Sequence, residues 1–442
     1  MAPTHAILLA CLPSLLFSLG GCCNDDPLFD KQEPDEPPEA KPQLRPARCH
    51  PIGRDEVVGA RSTTDSSLDN LLPFATEVGD GVAFEAGFAV GALCQEGQGT
   101  AFAIVTTNRD ASVWRTVSIK SSHGDAEAPR VFASGTLLGV ALLEPSGASR
   151  SLRLGRVDRD SVHWGAEFVQ GVDESLAFDV AIGVTKGVVV WDDVPKGRKA
   201  SSIVLATFDP ATLGKPSKPT AVTPKDTDAE MPRVIARPGG FWLFWLARRP
   251  DVDKSVDFGD TRYQAEGIDH RWIEAVPLDG VGVALGKPSR LGPSDGHVLG
   301  YGVALLGDGS AVVIWRDDDT PSGSAGGQLY RARVSLGGID GPDLVDVDAS
   351  SVGAPKVMSG WFAIGDSSGV TRLAPMAGDG TLVDRLMRED ALGSGEPIAN
   401  LGNDILISRP DGASARLFVV RCESGVLDGG LTDAEGSEDV GP

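Results

Sequence analysis

An all-β architecture follows from three observations on this 442-residue sequence. Glycine (55) and proline (30) are frequent, and no helical periodicity of three or more turns follows the N-terminal apolar run, so short strands and turns dominate. One motif recurs along residues 50–422: a short strand, a tight turn, an apolar strand, a loop and two further strands. The second strands, such as "GVVVW" (187–191) and "AVVIW" (311–315), are continuous apolar runs, as expected where both faces of a sheet are covered. Four short strands repeating every 40–55 residues or so predict a β-propeller. The count gives seven four-stranded blades.

The clearest unit is 129–169, which opens "PRVFASG". Related openings are "FDVAIG" (178–183), "PRVIARPGG" (232–240), "GYGVALLGDG" (300–309), "PKVMSG" (355–360) and "PIANLG" (397–402), with a weaker copy near Val82. The aligned first-strand positions are Val82, Val131, Val180, Val234, Val303, Val357 and Ile398. Third strands are expected at 100–108, 151–157, 202–208, 270–277, 328–335, 369–376 and 415–422. Trp114 aligns with Trp164 in the fourth strands of the first two units. A tandem of sandwich domains competes, but the units are too short for one sandwich each and no linker divides them. The last unit lacks a fourth strand, and "DEVVGARS" (55–62) is expected to supply it. Pairing the chain ends this way closes the ring and removes exposed sheet edges.

The flanks read differently. Ala6–Phe17 is a 12-residue apolar run, short of the roughly 20 residues a spanning helix needs, and it fits a secretory leader. Leu19-Gly20-Gly21-Cys22 resembles the lipobox of bacterial lipoproteins. That resemblance implies that Cys22 is lipidated and that residues 1–21 are removed. Residues 22–48 are rich in proline and acid and read as a tether; 423–442 read as an acidic disordered tail; 49–422 form the propeller. With its loose repeat style the chain resembles uncharacterised lipoproteins of myxobacteria-like Gram-negative bacteria. The resemblance implies a cell-envelope location, outer membrane or cell surface, with the membrane engaged through the lipid anchor and the propeller monomeric.

Four cysteines remain beyond the leader and Cys22. If the closing strand runs antiparallel beside 415–422, Cys49 and Cys422 fall together, and a bridge between them is favoured. Cys49–Cys94 and Cys94–Cys422 are the rivals, and Cys23 has no evident partner.

The formal charge is −22, which disfavours nucleic acid as a partner. The six histidines show no ligand spacing. Asp251, Asp253, Ser255 and Asp257 alternate as in a calcium loop, but Val256 and Arg262 stand where Gly and Glu are needed. No metal or cofactor is expected. There is no Gly-x-Ser-x-Gly elbow, no Ser-x-Asp-x-Gly-x-x-Trp turn, and only three tyrosines, so no enzyme is expected. Binding is the favoured activity. The loops between second and third strands emerge on one face, and the three longest neighbours follow Trp191, Leu246 and Trp315. They offer Asp192, Asp193, Arg248, Arg249, Arg262, Tyr263, Arg316, Asp317, Asp318 and Asp319 to a protein or carbohydrate ligand. A glycan-cleaving enzyme with degenerate motifs and a structural envelope component are the alternatives.

Overall fold

The computed structural model describes residues 48–58, 75–96, 99–120, 127–146, 149–169, 177–198, 200–214, 216–225, 227–248, 270–318, 327–345, 354–365, 370–383, 387–388, 394–412 and 414–423. The leader, Cys22, Cys23 and nearly all of the tether and the tail lie outside them.

Seven antiparallel sheets follow one another along the chain. Their innermost strands are Val82–Phe84, Arg130–Ser134, Phe178–Ile182, Asp228–Arg237, Val298–Leu305, Lys356–Met358 and Glu396–Leu401, numbered here as blades 1 to 7. In blade 1 a second short piece, Ala75–Val78, pairs with the same neighbour, so its inner edge is a strand in two segments. The third strands fall where the repeats placed them, for example Ser202–Phe208 and Gly327–Ser335.

The apolar second strands have a direct structural use. In blade 3, Val189 and Trp191 pack toward blade 2 with Phe132 and Leu143, while Val188 and Val190 pack toward blade 4 with Leu243 and Trp245. Side chains alternate across a strand, so burying both faces requires an apolar residue at every position. The same arrangement joins blades 4 and 5 through Trp242, Phe244, Val313 and Trp315. It continues through blades 5 and 6, 6 and 7, 7 and 1, and 1 and 2. Each core joins two adjacent blades, and together they close a ring.

Closure is by the N-terminal strand. Arg48–Val58 pairs antiparallel with Ser414–Glu423, with Cys49 opposite Cys422. The strand begins earlier than the expected 55–62, because the register is set at the cysteine pair. Cys49 and Cys422 form a disulfide across 373 positions of sequence, and Cys94 is buried and takes no part in that bridge. Linking residues so distant removes much entropy from the unfolded chain, about 4–5 kcal/mol in the chain-entropy model.

Candidate functional site

An innermost strand begins at the end of the blade where its second strand finishes. Phe178 pairs with Trp191 and Tyr301 with Trp315, so the starts of the inner strands lie toward the face that carries the second-to-third loops. There the axis opens into a cavity of about 500 Å³ lined by all seven inner strands. Its walls are mostly valine, alanine and isoleucine. Near the strand starts it acquires a ring of polar side chains: Asp80, Arg130, Asp179, Arg233, Tyr301 and Lys356, from blades 1 to 6 in order.

The ring is held by its own contacts. Arg130 Nη1 donates to Asp179 Oδ1 at 2.9 Å. The same carboxylate accepts the backbone N–H of Val180 at 3.0 Å and, through Oδ2, that of Val234 at 2.9 Å. Lys356 Nζ donates to Asp80 at 2.6 Å and pairs with Glu396 at 2.9 Å. Burial opposes the charged form of Asp80, but Lys356, Arg130 and Arg233 outweigh it and lower its pKa to about 2. The Lys356 ammonium likewise resists burial because Asp80 and Glu396 face it, and its pKa is raised. Tyr301 is buried: desolvation raises its phenol well above the ordinary value, and the hydroxyl donates to the Met231 carbonyl at 2.6 Å.

Arg233 differs from the other cations. Among the described residues no hydrogen bond or ion pair engages its guanidinium, although Asp179 and Asp80 lie near enough to raise its pKa against the effect of burial. It is placed by a bulge in the inner strand of blade 4, where the register shifts between Glu230 and Arg233. Met231 at the bulge has φ 54°, an uncommon conformation for a residue with a side chain. Two contacts clamp it: its N–H donates to Asp192 Oδ2 at 3.1 Å and its carbonyl accepts from Tyr301.

The rim residues have a different place. Asp192 is buried, and besides Met231 it accepts the Ala177 N–H at 2.9 Å, so it ties blade 3 to blade 4. Asp193 accepts from the N–H of Val194 at 2.8 Å. Arg248 donates to the buried Asp228 at 2.7 Å and lies 3.6 Å from Glu230. Asp228 also accepts the Ser201 N–H at 2.8 Å. Arg316 is buried and paired with the buried Asp318. Asp317 accepts the His297 N–H at 2.6 Å, and burial raises its pKa. Of the ten expected ligand residues, six thus join the scaffold at the ends of second strands. Arg249, Arg262, Tyr263 and Asp319, with the alternating acids of 251–257, lie outside the described residues.

The axial ring was not among the sequence-derived candidates, yet it left a signal. Arg130, Asp179, Arg233 and Lys356 each immediately precede the aligned first-strand valine, in "PRV", "FDV", "PRV" and "PKV".

No family model matches this sequence, and no curated protein matches it. Solved structures do. The polysaccharide lyase Uly1 is 11% identical, covering 84% of this chain and 100% of its own, with a TM-score of 0.50. An α-L-arabinanase of Penicillium chrysogenum, solved with arabinobiose, is 10% identical over 87% of this chain and 99% of its own, with a TM-score of 0.45. The β-propeller domain of the Trilobed protease from Pyrococcus furiosus is 11% identical over 82% and 99%, also at 0.45. The expectation that the chain is no enzyme is corrected to this extent: a polysaccharide lyase, an enzyme, has this architecture, so the fold does not set catalysis aside. That expectation rested on linear motifs, whereas a propeller assembles an axial site from one residue per blade. At these identities the likeness concerns architecture alone: the chain is an all-β, seven-bladed β-propeller, its blades four-stranded and its ring closed by the N-terminal strand.

Proposed function

We propose that the chain is a saccharide-binding propeller of the cell envelope and that it takes its ligand on the axis. The axial cavity carries this reading. Its volume falls within the roughly 300–1,000 Å³ range of small-molecule sites. Its ring alternates cations and carboxylates over blades 1 to 4. Sugar hydroxyls both donate and accept, so they can answer both kinds of group. The rim residues support the pocket rather than compete with it, since Asp192 fixes the bulge that presents Arg233.

Cleavage of the bound sugar is a second reading, favoured by two carboxylates, Asp80 and Asp179, in one cavity. Asp80 is held ionised, which suits a base or nucleophile and not a proton donor. The deciding experiment exposes the full chain to a panel of oligosaccharides, measures binding by calorimetry and separates the sugars afterwards. Binding with intact sugars supports recognition, shortened sugars support cleavage, and failure to bind any saccharide overturns both readings. The envelope location rests on the lipobox-like Leu19–Cys22. A Cys22→Ser chain is expected in the soluble fraction, and continued need for detergent would refute the anchor.

A further inference from the structure

The polar ring has one gap that is built into the backbone. Blade 1 carries a carboxylate, blade 2 a cation, blade 3 a carboxylate and blade 4 a cation. Continued alternation would put a carboxylate in blade 5, before the Lys356 of blade 6. The residue there, aligned with Arg130, Asp179, Arg233 and Lys356, is Gly302. A Cβ on Gly302 would come within 2.6 Å of the Pro355 carbonyl oxygen and 2.8 Å of Val357 Cγ2. No side chain fits at that place unless blade 6 moves. Tyr301, one residue earlier, is buried and has its hydroxyl turned to the Met231 carbonyl. The arc from Arg233 through blade 5 to Lys356 therefore has cations at both ends and no carboxylate among the cavity-lining residues between them.

Blade 7 also places no charge in the ring, where Pro397 follows Glu396. It is flanked by Lys356 on one side and Asp80 on the other, and Glu396 already pairs with Lys356. The two neutral places are thus unlike. Only the blade 5 place lies between two cations, and for one of them, Arg233, no hydrogen bond or ion pair engages the guanidinium among the described residues.

We propose that the gap at blade 5 receives the anionic group of an acidic saccharide, with Arg233 as its principal partner. This rests on the reading of the axial cavity as a saccharide site and names the class of sugar. A guanidinium presents its N–H donors in a planar fork that matches a carboxylate. Asp179 does not fill this role: it is engaged by Arg130 and by the Val180 and Val234 N–H groups, and no hydrogen bond or ion pair joins it to Arg233 among the described residues. The net charge of −22 does not forbid an anion here. At physiological salt, exposed charges beyond about 8 Å are largely screened, whereas groups within the cavity are screened far less.

The test uses calorimetry on the full chain. The probes are disaccharides ending in glucuronate or galacturonate, the corresponding glucose and galactose disaccharides, and sodium acetate. The acidic sugars are expected to bind about 10-fold or more tightly than the neutral ones, the scale of one charge-assisted hydrogen bond. Arg233→Met should abolish that preference, and Arg233→Lys should restore part of it. Equal binding of acidic and neutral sugars by the native chain overturns the inference while leaving saccharide binding intact, and this comparison needs no variant to fold. A preference that survives in Arg233→Met also overturns it. Acetate binding as tightly as the acidic disaccharides would make the gap a simple anion site, against the proposal. Failure of every sugar to bind would defeat the saccharide reading, and the inference with it.

Discussion

Two sets of charged residues face the same end of this propeller, and only one of them borders the cavity. At the rim, where second strands end, Asp192, Asp228 and Arg248, Arg316 and Asp318 are turned into the scaffold and hold blades or strand ends together. On the axis, at the starts of the first strands, Asp80, Arg130, Asp179, Arg233 and Lys356 face a cavity. The two sets lie close together in sequence; Asp179 and Asp192 belong to one hairpin. What separates them is the position in the blade. The end of a second strand abuts the next blade, so a carboxylate there meets unpaired backbone N–H groups, which it can satisfy. The start of an innermost strand meets the ring's open centre, so its side chain borders the cavity.

This contrast can be broken most forcefully at Asp228. It is buried between the Ser201 N–H and Arg248, and Asp228→Ala removes the acceptor of that N–H and the nearer of the two carboxylates beside Arg248. The expected cost is about 3 kcal/mol, seen in chemical denaturation, with saccharide affinity changed by less than about twofold. A large loss of affinity in a folded Asp228→Ala chain would put the rim in the site. Arg233→Met is the counterpart: affinity for acidic sugar falls about 10-fold while unfolding stability changes by less than about 1 kcal/mol.

Acid should separate the two regions more finely. The Asp80 pKa in the folded chain, about 2, lies below its ordinary 3.8. Its ionised form therefore stabilises the fold above about pH 4, and that contribution is lost as pH falls toward 2. Asp317 at the rim is shifted the other way, raised by burial, so protonating it favours the fold. Asp80→Asn should flatten the acid-induced loss of stability, and Asp317→Asn should steepen it slightly. Equal slopes in both variants, read from melting temperatures between pH 5 and 2, would remove the distinction.

Much of the fold was legible because it is written in repetition. The aligned valines, the apolar second strands and the third strands need only local pattern. The pairing of Cys49 with Cys422 followed from placing one strand beside another. The site was less legible. Asp192, Arg248 and Arg316 stand beside long loops, and length with charge resembles a binding surface. Nothing local tells a carboxylate at the end of a second strand, turned into the scaffold, from one that borders the axial cavity. The axial residues stand one per blade, from Asp80 to Lys356, and each alone is an ordinary charge before a valine. Their meaning appears only when the register of the repeats is superimposed. Gly302 is the clearest case, for its importance is the absence of a side chain where its counterparts have one.

The location of the ligand is the claim on which the account turns. Ala83 lies on the cavity wall and is exposed, so Ala83→Trp places an indole in the axial space without displacing a buried core residue. Calorimetric titration of the native and Ala83→Trp chains with the tightest saccharide found, at matched melting temperatures, tests the claim directly. Binding lost in the plugged chain is the predicted result. Binding at native strength with the axis filled would contradict it.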